Sequence, residues 1–196
     1  MTPTVIDMFN SIGYSSRIPR GYTTVKPTEA QSVGVNYSVQ KEARKIQPQG
    51  TVNVYDVAAY ILSKFKAGCT TMKLHKLLYY CQAWSLVWDE KPLFNDPIEA
   101  WANGPVVRTL YNMHKGVFVI TYNQLALGNK DALTQSQQET VNAVLDYYGK
   151  FSSQYLVELT HAEDPWKQAR KGLMPQERGN NIIPLSSMAE YYSSLK

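Results

Sequence analysis

The sequence predicts a mainly α protein of the α+β class: a compact multi-helix domain with a small β-hairpin or sheet element, preceded by an irregular N-terminal arm. Two observations predict this organisation. Apolar residues recur at helical spacing in several segments after residue 53. The first fifty residues, by contrast, contain no leucine, tryptophan, cysteine or histidine. We therefore expect an arm over residues 1–50 and one domain over residues 51–196.

The arm is rich in Ser, Thr, Gln, Gly and Pro, with a hinge expected at residues 46–52. Such a composition buries too little apolar surface to offset chain entropy, which favours a segment that orders on a partner. The arm also carries +3 of the total net charge of +4. The predicted partner-binding residues are its aromatic and apolar anchors and two arginines: Phe9, Tyr14, Arg17, Ile18, Arg20 and Tyr22. A tail that packs on its own domain, or that contacts nothing, is the alternative interpretation.

Two helices are predicted at the start of the domain. Apolar residues at helical spacing run from Val54 to Phe65, and Gly68 ends the run. A second helix is predicted from about Thr71 to about Trp88, with one apolar face made of Leu74, Leu77, Leu78, Cys81 and Trp84. Lys73 and Lys76 flank this face, and we expect both in solvent.

The middle of the domain holds the predicted β element. Residues 92–101 place Asn-Asp between two short apolar runs, which indicates a hairpin or a pair of extended segments. Gly104 belongs to a turn, and Pro105 is expected at the first position of a helix that ends near Gly116. Residues 117–122 are a further candidate strand.

Capping signals predict the remaining helices. Thr134 and Gln137 form a capping-box pattern for a helix that Gly149 closes, and a short helix follows from Ser153 to about Leu159.

Two more helix starts are predicted towards the C-terminus. Asp164 is expected as an N-cap with Pro165 at the first helical position, and adjacent Glu163 should favour the same helix through the macrodipole. Ser187 and Glu190 form the last predicted capping box.

No catalytic, cofactor-binding or metal-binding residues are predicted. The spacing of Cys69, His75 and Cys81 matches no metal-site pattern, and no nucleotide-binding glycine motif is present. Cys81 with His161 is a conceivable nucleophile pair, but Cys81 falls on the apolar helix face, which favours a packed thiol. His161 is expected to hydrogen-bond the backbone of a turn, with display of a functional group as the alternative.

The composition indicates a cytoplasmic protein. No apolar run is long enough to span a bilayer, and the N-terminus lacks the basic start and apolar run of a signal peptide, so none is expected. Two cysteines in a domain of this size favour reduced, packed thiols.

Four segments carry a resemblance to a known family: MKLHKLLYYCQAW (72–84), PLFNDPIEAWANGPVVRTLY (92–111), YGKFSSQYLVELTHAEDPWKQAR (148–170) and IIPLSSMAEYYSSL (182–195). Together they resemble the Panacea antitoxin domain, also described as the SocA-like or GepA phage-associated domain. The signature positions, which we expect to be mainly structural, are Lys73, Leu77, Tyr79, Trp101, Gly104, Pro105, Thr160, His161, Pro165 and Trp166.

The resemblance implies an antitoxin of a toxin–antitoxin system that neutralises a cognate toxin by direct protein–protein binding. SocA-type members instead act as adaptors that deliver the toxin to a Clp-type protease. Toxins in the family include small alarmone synthetases, Fic-type modifiers and ribonucleases. We expect no cofactor, no enzymatic activity and no membrane partner. Operator DNA bound by the basic arm is an unfavoured alternative, because no helix-turn-helix pattern is present.

Overall fold

The computed structural model describes residues 52–195. The arm over residues 1–50 therefore lies outside the described residues. So do its predicted partner-binding residues Phe9, Tyr14, Arg17, Ile18, Arg20 and Tyr22.

The described residues form helices and two small antiparallel sheets, which confirms the mainly α fold class. In chain order the elements are α1 (Val54–Lys64), β1 (Cys69–Thr70), α2 (Thr71–Trp88), β2 (Ile98–Trp101), β3 (Gly104–Val107), α3 (Arg108–His114), β4 (Val119–Ile120), a 3-10 turn (Tyr122–Gln124), α4 (Gln135–Tyr148), α5 (Ser153–Ala162), α6 (Asp164–Ala169) and α7 (Leu185–Ser194). None of the helices in residues 52–195 is long and apolar enough to cross a membrane.

Helix α2 is the centre of the domain. The side chain of Thr70 caps it by accepting a hydrogen bond from the backbone N–H of Lys73. Helices α1, α4, α5 and α7 and strand β3 all pack against α2. The helix was predicted correctly, but its single apolar face was not, because neighbouring elements bury nearly every side chain from Leu74 to Val87. Lys76 is consequently only 1% exposed, and the expectation that it lies in solvent was wrong.

The turn of the hairpin lies seven residues later than the Asn95-Asp96 pair suggested. Strands β2 and β3 pair from Ile98–Val107 to Trp101–Gly104, so residues 102 and 103 form the turn. Pro105 therefore lies in a strand opposite Ala100, and α3 begins three residues after it; the prediction of a helical Pro105 was wrong. The other side of β2 is occupied by residues 181–183, which leaves β3 as the edge strand, where proline is tolerated.

A second sheet joins the start of α2 to the chain after α3. Cys69 pairs with Ile120 and Thr70 with Val119. The candidate strand in residues 117–122 is thus confirmed for two residues. Both cysteines are free and buried, as predicted.

Of the helix caps predicted for the C-terminal half of the domain, some are observed and others are not. Thr134 and Gln137 form the predicted capping box of α4. Helix α6, however, begins at Asp164 with Glu163 as its N-cap residue, and α7 begins at Leu185 without a side-chain cap. The predicted caps at Asp164 and Ser187 were therefore wrong, because tertiary contacts of neighbouring residues fix both helix starts.

Candidate functional site

Three separate signature segments meet at one junction beside the hairpin. The indole N–H of Trp166 in α6 donates to the carbonyl of Trp101 at the end of β2, with a length of 3.0 Å. The ring of His161, near the end of α5, stacks on the ring of Trp166 with 4.0 Å between centroids. The structure thus brings together residues that lie about 60 positions apart in the sequence.

Gly104 lets α2 and α5 approach the hairpin. Its φ of +93° lies in the left-handed region. A Cβ at this position would lie 2.6 Å from Cε of Lys76 and 2.9 Å from Oγ1 of Thr160. Both the backbone conformation and the space therefore require glycine.

Lys76 fills the space that Gly104 leaves. Its Nζ donates a 3.1 Å hydrogen bond to the carbonyl of Pro105, the one partner that the ammonium has among residues 52–195. Burial lowers the pKa of Lys76 to about 7, because the charged form loses its hydration. Sequence reasoning missed the burial of this residue; the one local signal is the apolar run Leu77–Tyr80 that follows it.

His161 contacts the turn of the hairpin. A backbone hydrogen bond to Ala102 favours its charged form, but burial and the nearby charges of Lys76 and Arg170 outweigh it and lower the pKa. The Nε2 atom is buried and has no hydrogen-bond partner in the described part of the chain. His161 is therefore neutral at pH 7, and it anchors a hairpin turn rather than the turn between two helices.

A charged network surrounds the exposed side of Trp101. The Arg108 guanidinium donates to both carboxylate oxygens of Glu99, at 2.7 and 2.6 Å, and the indole N–H of Trp101 donates to one of them at 2.7 Å. Burial opposes the ionisation of Glu99, but these hydrogen bonds outweigh it and hold the pKa of the carboxyl below its ordinary value.

Arg170 attaches the loop after α6 to the hairpin. Its Nη1 donates to the carbonyl of Ala100 at 3.0 Å, and its Nη2 donates to the carbonyls of Met174 at 3.0 Å and Glu177 at 2.8 Å. The guanidinium also lies over the ring of Trp166. A planar group with several donors is needed to reach these carbonyls at once.

A buried carboxyl lies among tyrosines on the α7 side of α2. The hydroxyls of Tyr80 and Tyr192 donate to Glu163 at 3.1 and 2.7 Å. Burial raises the pKa of Glu163 to about 7 in spite of these hydrogen bonds. The nearby hydroxyl of Tyr79 is buried without a hydrogen-bond partner among the described residues. Glu163 does lie at a helix N-terminus, as the N-cap residue of α6, but its side chain makes no cap hydrogen bond and enters the core.

Two histidines behind the hairpin form a neutral pair. Nδ1 of His75 accepts a hydrogen bond from the backbone N–H of Val107, so its proton lies on Nε2. That nitrogen is 2.9 Å from Nε2 of His114, which therefore accepts. Burial lowers the pKa of both rings.

The remaining signature residues contribute to packing. Leu77, Tyr79 and Pro165 are buried. Nζ of Lys73 is half-buried and donates to the carbonyl of Gly149 at 2.6 Å, and the Thr160 hydroxyl donates to Val157. These contacts all lie within the domain itself.

The described residues offer neither a reactive thiol nor a metal site. Burial raises the pKa of Cys69 to about 11 and raises that of Cys81 as well, so both thiols are protonated at neutral pH. In residues 52–195, no three His, Cys, Asp or Glu side chains are placed to hold a metal ion.

Comparison with known protein families gave a match to part of the chain. The model of the family described as "Antitoxin SocA-like, Panacea domain" matches residues 74–167, just under half of the chain. This range contains Lys76, the hairpin, Thr160, His161 and Trp166, and it confirms the predicted resemblance. The family supports an antitoxin role in general terms. Comparison with curated proteins gave no match. Comparison with solved structures gave none.

Proposed function

We propose that this protein, whose residues 74–167 match the SocA-like Panacea antitoxin family, is the antitoxin of a toxin–antitoxin pair and neutralises its toxin by binding it directly. The family match is the observation that carries the proposal. Most of the signature residues are buried, which supports the proposal, because such a scaffold leaves the outer surface free to bind a toxin. The partner would be a protein encoded nearby, of a class such as a small alarmone synthetase, a Fic-type modifier or a ribonuclease.

The arm is proposed to add contacts to the toxin. Aromatic anchors carry much of the energy of protein interfaces, and Phe9, Tyr14 and Tyr22 are the anchors it offers. Deletion of residues 1–45 tests this: neutralisation should weaken, and unchanged neutralisation would remove the arm from the mechanism.

Co-expression with the neighbouring open reading frame tests the proposal. Host growth is scored, and the purified product is weighed by native mass spectrometry. Rescued growth together with a stable complex is the expected result, and the mass gives the stoichiometry. Absence of both rescue and complex would contradict an antitoxin role.

A protease adaptor is the second candidate, because the matched family is described as SocA-like and SocA-type members act in that way. The same cultures separate the two mechanisms. Direct neutralisation leaves the toxin present in a stoichiometric complex with this protein. An adaptor instead lowers the toxin level, and the level recovers in a Clp-deficient host.

A further inference from the structure

The sheet beside the start of α2 carries an exposed apolar surface. We define the Phe118 surface as the side chains of Met72, Val117, Phe118 and Val119, all of which are exposed. Phe118 is 78% exposed, more than any other large apolar side chain in the described residues. A phenylalanine at this exposure costs free energy in water, which a partner that covers it would recover.

Hydrogen bonds hold these four side chains in one place. The backbone N–H of Thr71 donates to the carbonyl of Phe118 at 3.0 Å, and the Thr71 hydroxyl donates to the carbonyl of Val117 at 3.0 Å. Thr70 pairs with Val119. The surface is therefore continuous between the two chain segments and rigidly attached to α2, so little entropy is lost when a partner binds.

Two lysines flank the Phe118 surface. Lys115 is exposed two residues before Val117, and Lys66 is exposed in the turn that ends at Gly68. That turn lies against the sheet, since a Cβ on Gly68 would lie 3.0 Å from Cγ1 of Val119. The segments that build the surface, residues 57–88 and 100–130, contain no aspartate or glutamate. The charged side chains of these two segments are therefore all cationic.

This charge decides between the possible occupants. The arm carries a net charge of +3, so its approach would add positive charge to a positive rim. A second copy related by a two-fold axis would bring the same cationic surface against itself. Nucleic acid is bound by an extended basic surface, whereas the centre of the Phe118 surface is apolar. A protein segment with aspartates or glutamates around one or two large apolar side chains matches both the centre and the rim.

We infer that the Phe118 surface is a docking site for an acidic segment of the toxin that also carries apolar side chains, with Phe118 as the central anchor. This inference rests on the proposed antitoxin function. The four side chains are too few for a whole interface, which buries about 800 Å² on each partner. They are the energetic centre of a larger contact, with Lys66 and Lys115 steering the approach.

The test uses the full chain and an inactivated form of the protein encoded by the neighbouring open reading frame. Affinity and association rate are measured by calorimetry and surface plasmon resonance. Phe118→Ser should weaken binding about 30-fold or more, as for an interface hot spot. Met174→Ser is the matched control, because that side chain is 71% exposed in the loop after α6; its affinity should stay within about twofold of the unaltered chain.

Charge reversal tests the acidic nature of the partner. Lys66→Glu with Lys115→Glu should slow association about tenfold and reduce its dependence on salt, whereas the corresponding arginine variants should keep both. Circular dichroism and thermal unfolding confirm that each variant folds. A photo-crosslinking residue at position 118, but not at position 174, should label the acidic segment.

Three outcomes would overturn the inference. If the unaltered chain binds the toxin tightly and Phe118→Ser changes the dissociation constant by less than threefold, the toxin binds elsewhere. If Phe118→Ser leaves the toxin affinity unchanged but abolishes self-association, the surface binds a second copy. If it instead abolishes binding to a DNA duplex, the surface binds DNA. If the unaltered chain binds no toxin at all, the proposed function fails first.

Discussion

Nζ of Lys76 lies 3.1 Å from the carbonyl oxygen of Pro105 and reaches it through the space above Gly104. One residue comes from the central helix and the other from the edge strand of the hairpin. A cation with a single acceptor in a dry interior is costly. The junction therefore depends on a polar group whose charge is sensitive to pH and on a glycine that makes room for it.

Replacement of Gly104 by alanine is expected to lower the free energy of unfolding by about 3 kcal/mol. About 1 kcal/mol comes from the left-handed φ, and the remainder from displacement of Lys76 and Thr160. Gly116 is the matched control, because its φ is +86° and nothing lies within 4 Å of a Cβ placed there. Gly116→Ala should cost only about 1 kcal/mol in urea denaturation. Equal losses for the two variants would contradict the close packing at Gly104.

Glu163 should make the domain less stable as the pH rises from about 5 to about 7. Its pKa is raised to about 7 in the folded chain, so the unfolded chain releases the proton first and the folded state loses free energy across this window. Glu163→Gln removes the titration. The difference in unfolding free energy between the variant and the unaltered chain should change by on the order of 3 kcal/mol between pH 4 and pH 8. A constant difference would mean that Glu163 ionises normally.

Lys76 should act in the opposite direction at higher pH. Because burial lowers its pKa to about 7, the unfolded chain binds the additional proton between pH 7 and the ordinary lysine range, and stability rises with pH there. Lys76→Met should flatten this rise by up to about 1.4 kcal/mol per pH unit. Unfolding curves collected between pH 7 and pH 9 measure it, and parallel curves for the two proteins would refute it.

Arg170→Lys is expected to destabilise the domain by about 2–4 kcal/mol, although it keeps the charge. A lysine cannot donate to the carbonyls of Ala100, Met174 and Glu177 together. Arg178→Lys, at an exposed position in the same loop, should change stability by less than about 0.5 kcal/mol. Chemical denaturation compares the two, and faster proteolysis of the loop in Arg170→Lys is the expected accompanying result.

The helices could be predicted because their signals are local. The periodicity of residues 54–65 and the capping box at Thr134 depend on residues within one or two turns. Pro105 could not be placed, because Gly-Pro-Val-Val fits a helix start or a strand equally well. The strand is chosen by pairing with β2, whose other side is held by residues 181–183.

The buried charged residues escaped prediction for a related reason. Lys76 flanks an apolar face on a helical wheel, and its burial arises from elements that follow much later in the chain. Glu163 is held by Tyr80, 83 residues before it, and by Tyr192, 29 residues after it. No local sequence pattern specifies contacts between residues so far apart in the chain. The family signatures could therefore be recognised in the sequence, but their structural role could not.

The pairing of residues 181–183 with β2 affects the order in which the domain can be completed during synthesis. Met188 and Tyr192, on the helix that follows, are fully buried, and the Tyr192 hydroxyl donates to Glu163. Until these residues leave the ribosome, the Glu163 carboxyl lacks one of its two tyrosine donors and one side of the central helix stays uncovered. Residues 181–192 are thus synthesised after the rest of the core that they cover. Before they pack, the uncovered side of the central helix is accessible to chaperones and proteases.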